Sequence, residues 1–334
     1  MRGIVLVAAD FAPSTALGMV AEELRSRGES ATFISGKGEI VLPEDTTVVI
    51  AGMAHSPEMA QGELGALRQA VRKGIPIGLY ADTFDCAGRE WFAEARKNTQ
   101  FLIVPTEKEK TKALELFPRA NIVATGNPLW EASVFPESTR AEVRKRISMT
   151  EDQIVIFCPL RKESHINREH LWLVRQALER IDNEKILVVV TGHPGDETYK
   201  ENPDAYRPLF PANAIQLVGT TLVKELLPGT DVVIGAGSGA GIDAIYQRVP
   251  VIDVMTELVL NEVERLHRRR VWQPVEDGSS IGIKNVEELV SALEQVTSGA
   301  GKDRLLAAQE KAYPRPTHPK QAVHAMVAEI QEWI

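Results

Sequence analysis

Cysteine is scarce in this chain: 334 residues hold two, Cys86 and Cys158, far apart and without metal-ligand spacing. That argues against a disulfide framework or a zinc cluster, and both thiols adjoin apolar runs, as reduced buried cysteines of a cytosolic protein do. Positive charge is also short. With 38 Lys and Arg against 46 Asp and Glu the net charge is -8, which repels a polyanionic backbone and argues against nonspecific nucleic-acid binding. A small anionic ligand would need a local positive site. No apolar run approaches the roughly 18 residues of a membrane span. The early stretch IVLVAA is too short for a signal h-region and has no cleavage site after it. The expectation is a cytoplasmic protein that touches at most the inner face of a membrane.

What is present points to an α/β protein. Short β-branched runs alternate with amphipathic segments along the whole chain, the pattern of βα units on a parallel sheet. GIVLVAAD, SATFIS, TTVVIAGM, IPIGLYAD, QFLIVPT and NIVATG read as strands of a first layer. AEELRSRG, PEMAQGELGALRQAVRKG, REWFAEARKN and EKEKTKALELF read as the helices between them. After a polar stretch with two prolines the pattern restarts with IVIFCPL, KILVVVTGH, NAIQLVG, DVVIGA and PVIDV. A length of 334 residues suits two domains of roughly 150 residues each. We expect two doubly wound Rossmann-like domains, 1–140 and 141–334, facing a cleft, with the final helix PKQAVHAMVAEIQEWI closing the chain and packing back on the first domain. Ligands of such sheets bind at the carboxyl ends of strands, so residues there carry most weight.

The stretch Gly235-Ala-Gly-Ser-Gly-Ala240 reads as a phosphate loop between a strand and a helix. Its Gly-x-Gly-x-x-Ala spacing, with Asp253 closing the next apolar run, also fits a dinucleotide fingerprint. That fingerprint normally follows the first strand of its domain in a unit of roughly 30 residues. Here the loop follows a fourth strand in a shorter unit, and the first strand of the chain runs into AADFAPSTALG, which has no glycine triplet. Small residues at Gly237, Ser238, Gly239, Ala240 and Gly241 would let an anion approach the amides of a helix start. Asp243 could accept sugar hydroxyls from that helix, or simply favour its dipole.

Three passages in order, IVATGNPLWEA at 122–132, VVVTGHPGDE at 188–197 and TDVVIGAGSGAGIDAIYQRVPVIDV at 230–254, resemble the GT-B superfamily. Its members include nucleotide-sugar glycosyltransferases, UDP-N-acetylglucosamine 2-epimerases and CDP-glycerol glycerophosphotransferases. The resemblance is architectural over the whole chain and motif-level from about 122 to 257. It implies a nucleotide-diphosphate sugar donor, UDP-linked, as substrate, a glycan or lipid-linked acceptor in cell-envelope biogenesis, and metal-independent transfer without a cofactor. Ser238, Gly239 and Asp243 match the family's donor loop and acidic position, and His193 its His-Pro histidine. The epimerase motifs Gly-Thr-Arg-Pro-Glu and His-x-Glu-Ala-Gly are replaced here by Ala-Ala-Asp-Phe-Ala and Tyr-Ala-Asp-Thr-Phe-Asp, which removes an arginine and a glutamate. The resemblance therefore favours transfer, with an epimerase or a non-catalytic nucleotide-binding relative as alternatives.

Transfer needs cations near the leaving phosphates and a base for the acceptor hydroxyl. Arg161 and Lys162 follow the first strand of the second half and could supply charge or form a solvated turn. His193 ends a strand, and Gly219 and Thr220 end the next, where the family's amides meet the base. For the general base the candidates are Asp82 first, His55 second and then Asp10, which could equally cap the following helix. Asn127 and Glu131 sit in the interdomain stretch, to contact substrate or brace it. Glu257 could approach the donor sugar or start a helix. The run His267–Arg270 could meet an anionic lipid surface or form a solvated helix end.

Overall fold

The computed structural model describes residues 3–35, 38–181, 184–212, 214–217 and 223–334. Among these, twelve strands build two parallel six-stranded sheets. The first holds β1 (Gly3–Ala8), β2 (Ser30–Ser35), β3 (Thr46–Gly52), β4 (Ile77–Tyr80), β5 (Phe101–Val104) and β6 (Asn121–Ala124), in the order β2-β1-β3-β4-β5-β6. The second holds β7 (Ile154–Pro159), β8 (Ile186–Thr191), β9 (Ala214–Leu217), β10 (Val232–Gly235), β11 (Val251–Val254) and β12 (Ile281–Ile283), in the order β12-β11-β10-β7-β8-β9. Both are doubly wound, Rossmann-like layers.

Helices cover both faces of a parallel sheet, so its strands read as unbroken apolar runs. β1 is buried along its whole length. Its Ile4, Leu6 and Ala8 pack with Ala16, Leu17 and Val20 of helix Phe11–Ser26 on one face, while Val5 and Val7 join Val49, Ala51, Leu67 and Ala70 on the other.

The chain divides into two compact units, Met1–Ala132 with Leu266–Arg268 and Pro316–Ile334, and Ser133–Arg265 with Arg269–Arg315. The division falls at 132/133, against 140/141 from the sequence. The last helix, Gln321–Gln331, belongs to the first unit and places Val323, Met326, Val327 and Ile330 in the core that covers β1. No helix among the described residues is long and apolar enough to cross a membrane.

Each sheet reverses direction once. In the first, the chain steps from β1 out to β2 and returns on the other side of β1 with β3; in the second it steps from β7 to β8 and β9 and returns beside β7 with β10. Helices leave the sheet on opposite faces at such a point, opening a crevice beyond the strand ends. The carboxyl ends of β1 and β3, and of β7 and β10, are thus the places to look.

Candidate functional site

In the first unit, Asp10 follows β1 and His55 follows β3. Asp10 caps helix Phe11–Ser26, its Oδ1 accepting the Phe11 amide at 2.8 Å. Its Oδ2 lies 2.6 Å from His55 Nδ1 and also accepts the His55 amide at 3.3 Å. Burial alone would raise the Asp10 carboxyl, but the His55 hydrogen bond and charge hold it below its ordinary value. An ionised carboxylate only accepts, so the Nδ1 that faces it carries a hydrogen, and in the neutral imidazole Nε2 keeps its lone pair. The side chains of His55 and Asp10 remain 29% and 24% exposed.

Asp82 follows β4, the next strand over. It is buried, and loss of hydration pushes its carboxyl up to about 6, opposed by the Arg89 guanidinium and reinforced by the charge of Asp10. Its backbone carbonyl accepts Asn127 Nδ2 at 2.6 Å, while Asn127 Oδ1 accepts the Leu129 amide at 2.8 Å. Asn127 thus ties strand end to helix start. The Glu131 carboxylate accepts the amides of Gln321 and Ala322, capping the last helix. Two further groups went unnoticed in the sequence. Glu63, fully buried in helix Gln61–Lys73, accepts the Ala9 amide at 2.7 Å, and Arg89 donates to the Met53 carbonyl beside the β3 exit. Both sit inside segments whose helical spacing disguised them.

In the second unit, β10 runs into Ala236-Gly237-Ser238 and helix Gly239–Tyr246. Gly237 has φ +66, a left-handed conformation that costs a side-chain-bearing residue energy. Arg161, beyond β7 and buried, donates Nη1 to the carbonyls of Ala236 and Gly237, 2.6 Å each, and Nε to Glu163 at 3.0 Å. Asp253 is fully buried; its Oδ1 accepts the Gly237 amide and its Oδ2 the Trp272 indole, both at 3.0 Å. Burial raises that carboxyl from its usual range despite these donors. Asp253 therefore shapes the loop from within.

With its carbonyls drawn inward, the loop presents a helix start that no side chain caps. Among the described residues Ser238 Oγ is buried without a hydrogen-bond partner, and nothing lies within 4 Å of a Cβ built on Gly239. Uncapped first-turn amides carry partial positive charge and suit an anion. Ala240 lies in this first turn. Asp243 lies a turn further along and accepts Ser133 Oγ at 2.6 Å; loss of hydration pushes it up to about 7.

His193, exposed after β8, accepts the Gly195 amide on Nδ1 at 2.8 Å, which leaves Nε2–H to donate outward. Partial loss of hydration, together with the nearby Arg161 and Lys162 charges, holds its pKa below the ordinary value. A Cβ on Gly195 would lie 3.0 Å from His193 Nδ1 and 3.3 Å from Lys162 Cβ, so the two side chains flank one another. Lys162 is exposed, with Nζ 3.7 Å from Glu163. Gly219 and Thr220 lie outside the described residues.

Solved structures share this architecture over essentially the full chain. The UDP-GlcNAc 2-epimerase of Neisseria meningitidis, bound to UDP-GlcNAc, is 12% identical, covering 99% of this chain and 100% of that one at a TM-score of 0.67. MnaA from S. aureus, solved with UDP, is 13% identical over 100% of this chain and 98% of its own, at 0.69. A glycosyltransferase from Rickettsia africae is 13% identical over 99% and 97%, at 0.63. The chain has the GT-B fold. No family model matches the sequence, and no curated protein does either.

Within this GT-B fold, two other sequence candidates take up internal partners. Glu257 opens helix Glu257–His267, is exposed and pairs with Arg270. In the basic run, His267 Nδ1 lies 3.0 Å from the Phe84 carbonyl oxygen, Arg268 lies over the Trp91 ring, and Arg269 pairs with Glu276. Among the described residues no group of three or more His, Cys, Asp or Glu is placed to hold a metal ion.

Proposed function

We propose that this protein is a GT-B glycosyltransferase that moves a sugar from a nucleoside-diphosphate donor, a UDP-sugar, to a hydroxyl of a cell-envelope glycan or lipid-linked acceptor at the cytoplasmic side. The observation that carries the reading is the Asp10–His55 pair at the switch point of the first sheet. A histidine whose Nδ1 is engaged by a carboxylate presents Nε2 as a base and is stabilised once protonated.

In this reading His55 Nε2 takes the acceptor hydroxyl proton as that oxygen bonds to the anomeric carbon. The bond from this carbon to the diphosphate breaks, and the nucleoside diphosphate leaves with the electron pair. The uncapped start of helix Gly239–Tyr246, fixed by Arg161 and Asp253, meets the developing phosphate charge. His193 Nε2–H and Lys162 add donors. Asp82, buried and raised toward neutrality, is the weaker base candidate. The reading calls for no added cofactor.

The test is acceptor-dependent release of UDP over a panel of UDP-sugars. His55→Ala should lower kcat by about 10²–10⁴-fold, the usual worth of general base catalysis, and Asp10→Asn by a smaller factor. UDP binding should persist in both. Full turnover in His55→Ala would remove the assignment. A second reading, epimerisation, is favoured by the UDP-GlcNAc 2-epimerase among the structural neighbours. It would be marked by conversion of UDP-GlcNAc with no acceptor present.

A further inference from the structure

The turn that carries Asp10 is held at several polar points. The Ala8 carbonyl accepts Ser14 Oγ at 2.9 Å, the Asp10 carbonyl accepts the Ser14 amide at 2.9 Å, and the Asp10 carboxylate spans Phe11 and His55. The Ala9 amide donates to Glu63 Oε1 across 54 positions of sequence. Glu63 is third in helix Gln61–Lys73, where a glutamate usually stays exposed to favour the helix dipole or reaches back to its cap. Here the cap, Ala60, makes no side-chain hydrogen bond, and Glu63 is fully buried and turned toward β1. Among the described residues its buried Oε2 has no hydrogen-bond partner and no cation pairs with it.

A buried carboxyl with one amide donor and no cation costs several kcal/mol as an anion. Packing alone would select an apolar residue there. The hydrogen bond that this carboxylate accepts from across the sequence is the one that orients the residue preceding Asp10.

We propose that Glu63 is a positioning residue for the Asp10–His55 pair, acting through the Ala9 amide to set the angle at which Asp10 meets the imidazole. This rests on the reading of His55 as the base. Without the Glu63 acceptor, the partly buried Ala9 amide loses its partner, and the turn rotates to recover one. Asp10 then swings off Nδ1 and the imidazole loses its fixed tautomer. Burial also pushes the Glu63 carboxyl up to about 6, so near that pH it can clamp Ala9 without a full second anion beside Asp10.

The test is ¹⁵N NMR of the His55 ring in the full chain, which needs no substrate. Wild type should show the Nδ1–H tautomer. Glu63→Met, of similar volume but without the acceptor, should shift His55 to a mixture rich in Nε2–H and lower kcat at least ten-fold, with the donor KM within two-fold. Glu63→Gln should restore both. A folded Glu63→Met that keeps the Nδ1–H tautomer overturns the proposal. Should Glu63→Met not fold, amide exchange in wild type still decides: an Ala9 amide that exchanges like a free one overturns it, and a protected one supports it. Full turnover by His55→Ala would overturn the base assignment while leaving the tautomer result standing, so the two failures are distinguishable.

Discussion

At the scale of single residues, the groups that brace the candidate chemistry, Glu63, Arg161 and Asp253, are kept away from water. His170 shows the same effect where no catalysis is at issue. It is fully buried in helix Ser164–Leu178, and burial lowers its pKa to about 4 from the ordinary 6.5. The folded state therefore binds fewer protons than the unfolded one between those values, and stability rises with pH there. The contribution is complete above 6.5 and is lost as pH falls through 4, amounting to roughly 3 kcal/mol across the window. His170→Leu should flatten the urea midpoint between pH 4.5 and 6.5 relative to wild type. An unchanged difference between the two proteins across that range would refute the assignment. Asp10 and His55 were both legible as candidates in the sequence, yet as rivals. Their partnership spans 45 positions, and a strand order that puts β3 beside β1 creates it. Glu63 left no trace, because a glutamate at the start of a helix is ordinary until its burial is known.

At the scale of elements, the strands were legible because parallel sheets demand continuous apolar runs, and β1 through β11 all fall within stretches such as GIVLVAAD and PVIDV. β12 was not. It has three residues, Ile281–Ile283, with glycine in the middle and an edge position, so neither length nor pattern marks it. REWFAEARKN reads as one helix, whereas the chain forms a 3₁₀ turn at Glu90–Phe92 and only a short helix, Ala93–Arg96, after another 3₁₀ turn at Cys86–Gly88. Tertiary bonds win there: the Trp91 indole donates to the Ala54 carbonyl at 3.1 Å and Arg96 to the Arg89 carbonyl at 2.6 Å. The loop after β10 was legible from its glycines, but Arg161 and Asp253 as its braces were not. Gly237→Ala forces a side chain into a left-handed backbone and brings its Cβ to 3.4 Å from Met255 and Val263. We expect a loss of about 1 kcal/mol in stability and at least ten-fold weaker UDP binding by calorimetry, because the amides beyond it move. UDP affinity within two-fold of wild type would separate the loop from the phosphate.

At the scale of the whole molecule, two compact units raise the question of whether the chain unfolds once or twice. The last helix gives a handle. Although it is the end of the sequence, its Val323, Met326, Val327 and Ile330 are buried in the first unit, and Trp333 stacks on Phe101 with ring centroids 5.4 Å apart. Glu131 holds its start and Asn121 donates to Glu329 at 2.8 Å. Each large apolar side chain uncovered costs about 1.5–3 kcal/mol, and four together approach the total stability of a typical domain, about 5–15 kcal/mol. Deleting residues 316–334 should therefore melt the first unit and leave the second folded. Differential scanning calorimetry should show two transitions in the full chain and only one in the truncated chain. UDP should raise the surviving transition, since ligand bound to a folded unit stabilises that unit. A truncated chain in which every transition falls together, or one that UDP no longer shifts, would mean that the second unit depends on the first for its fold or its nucleotide.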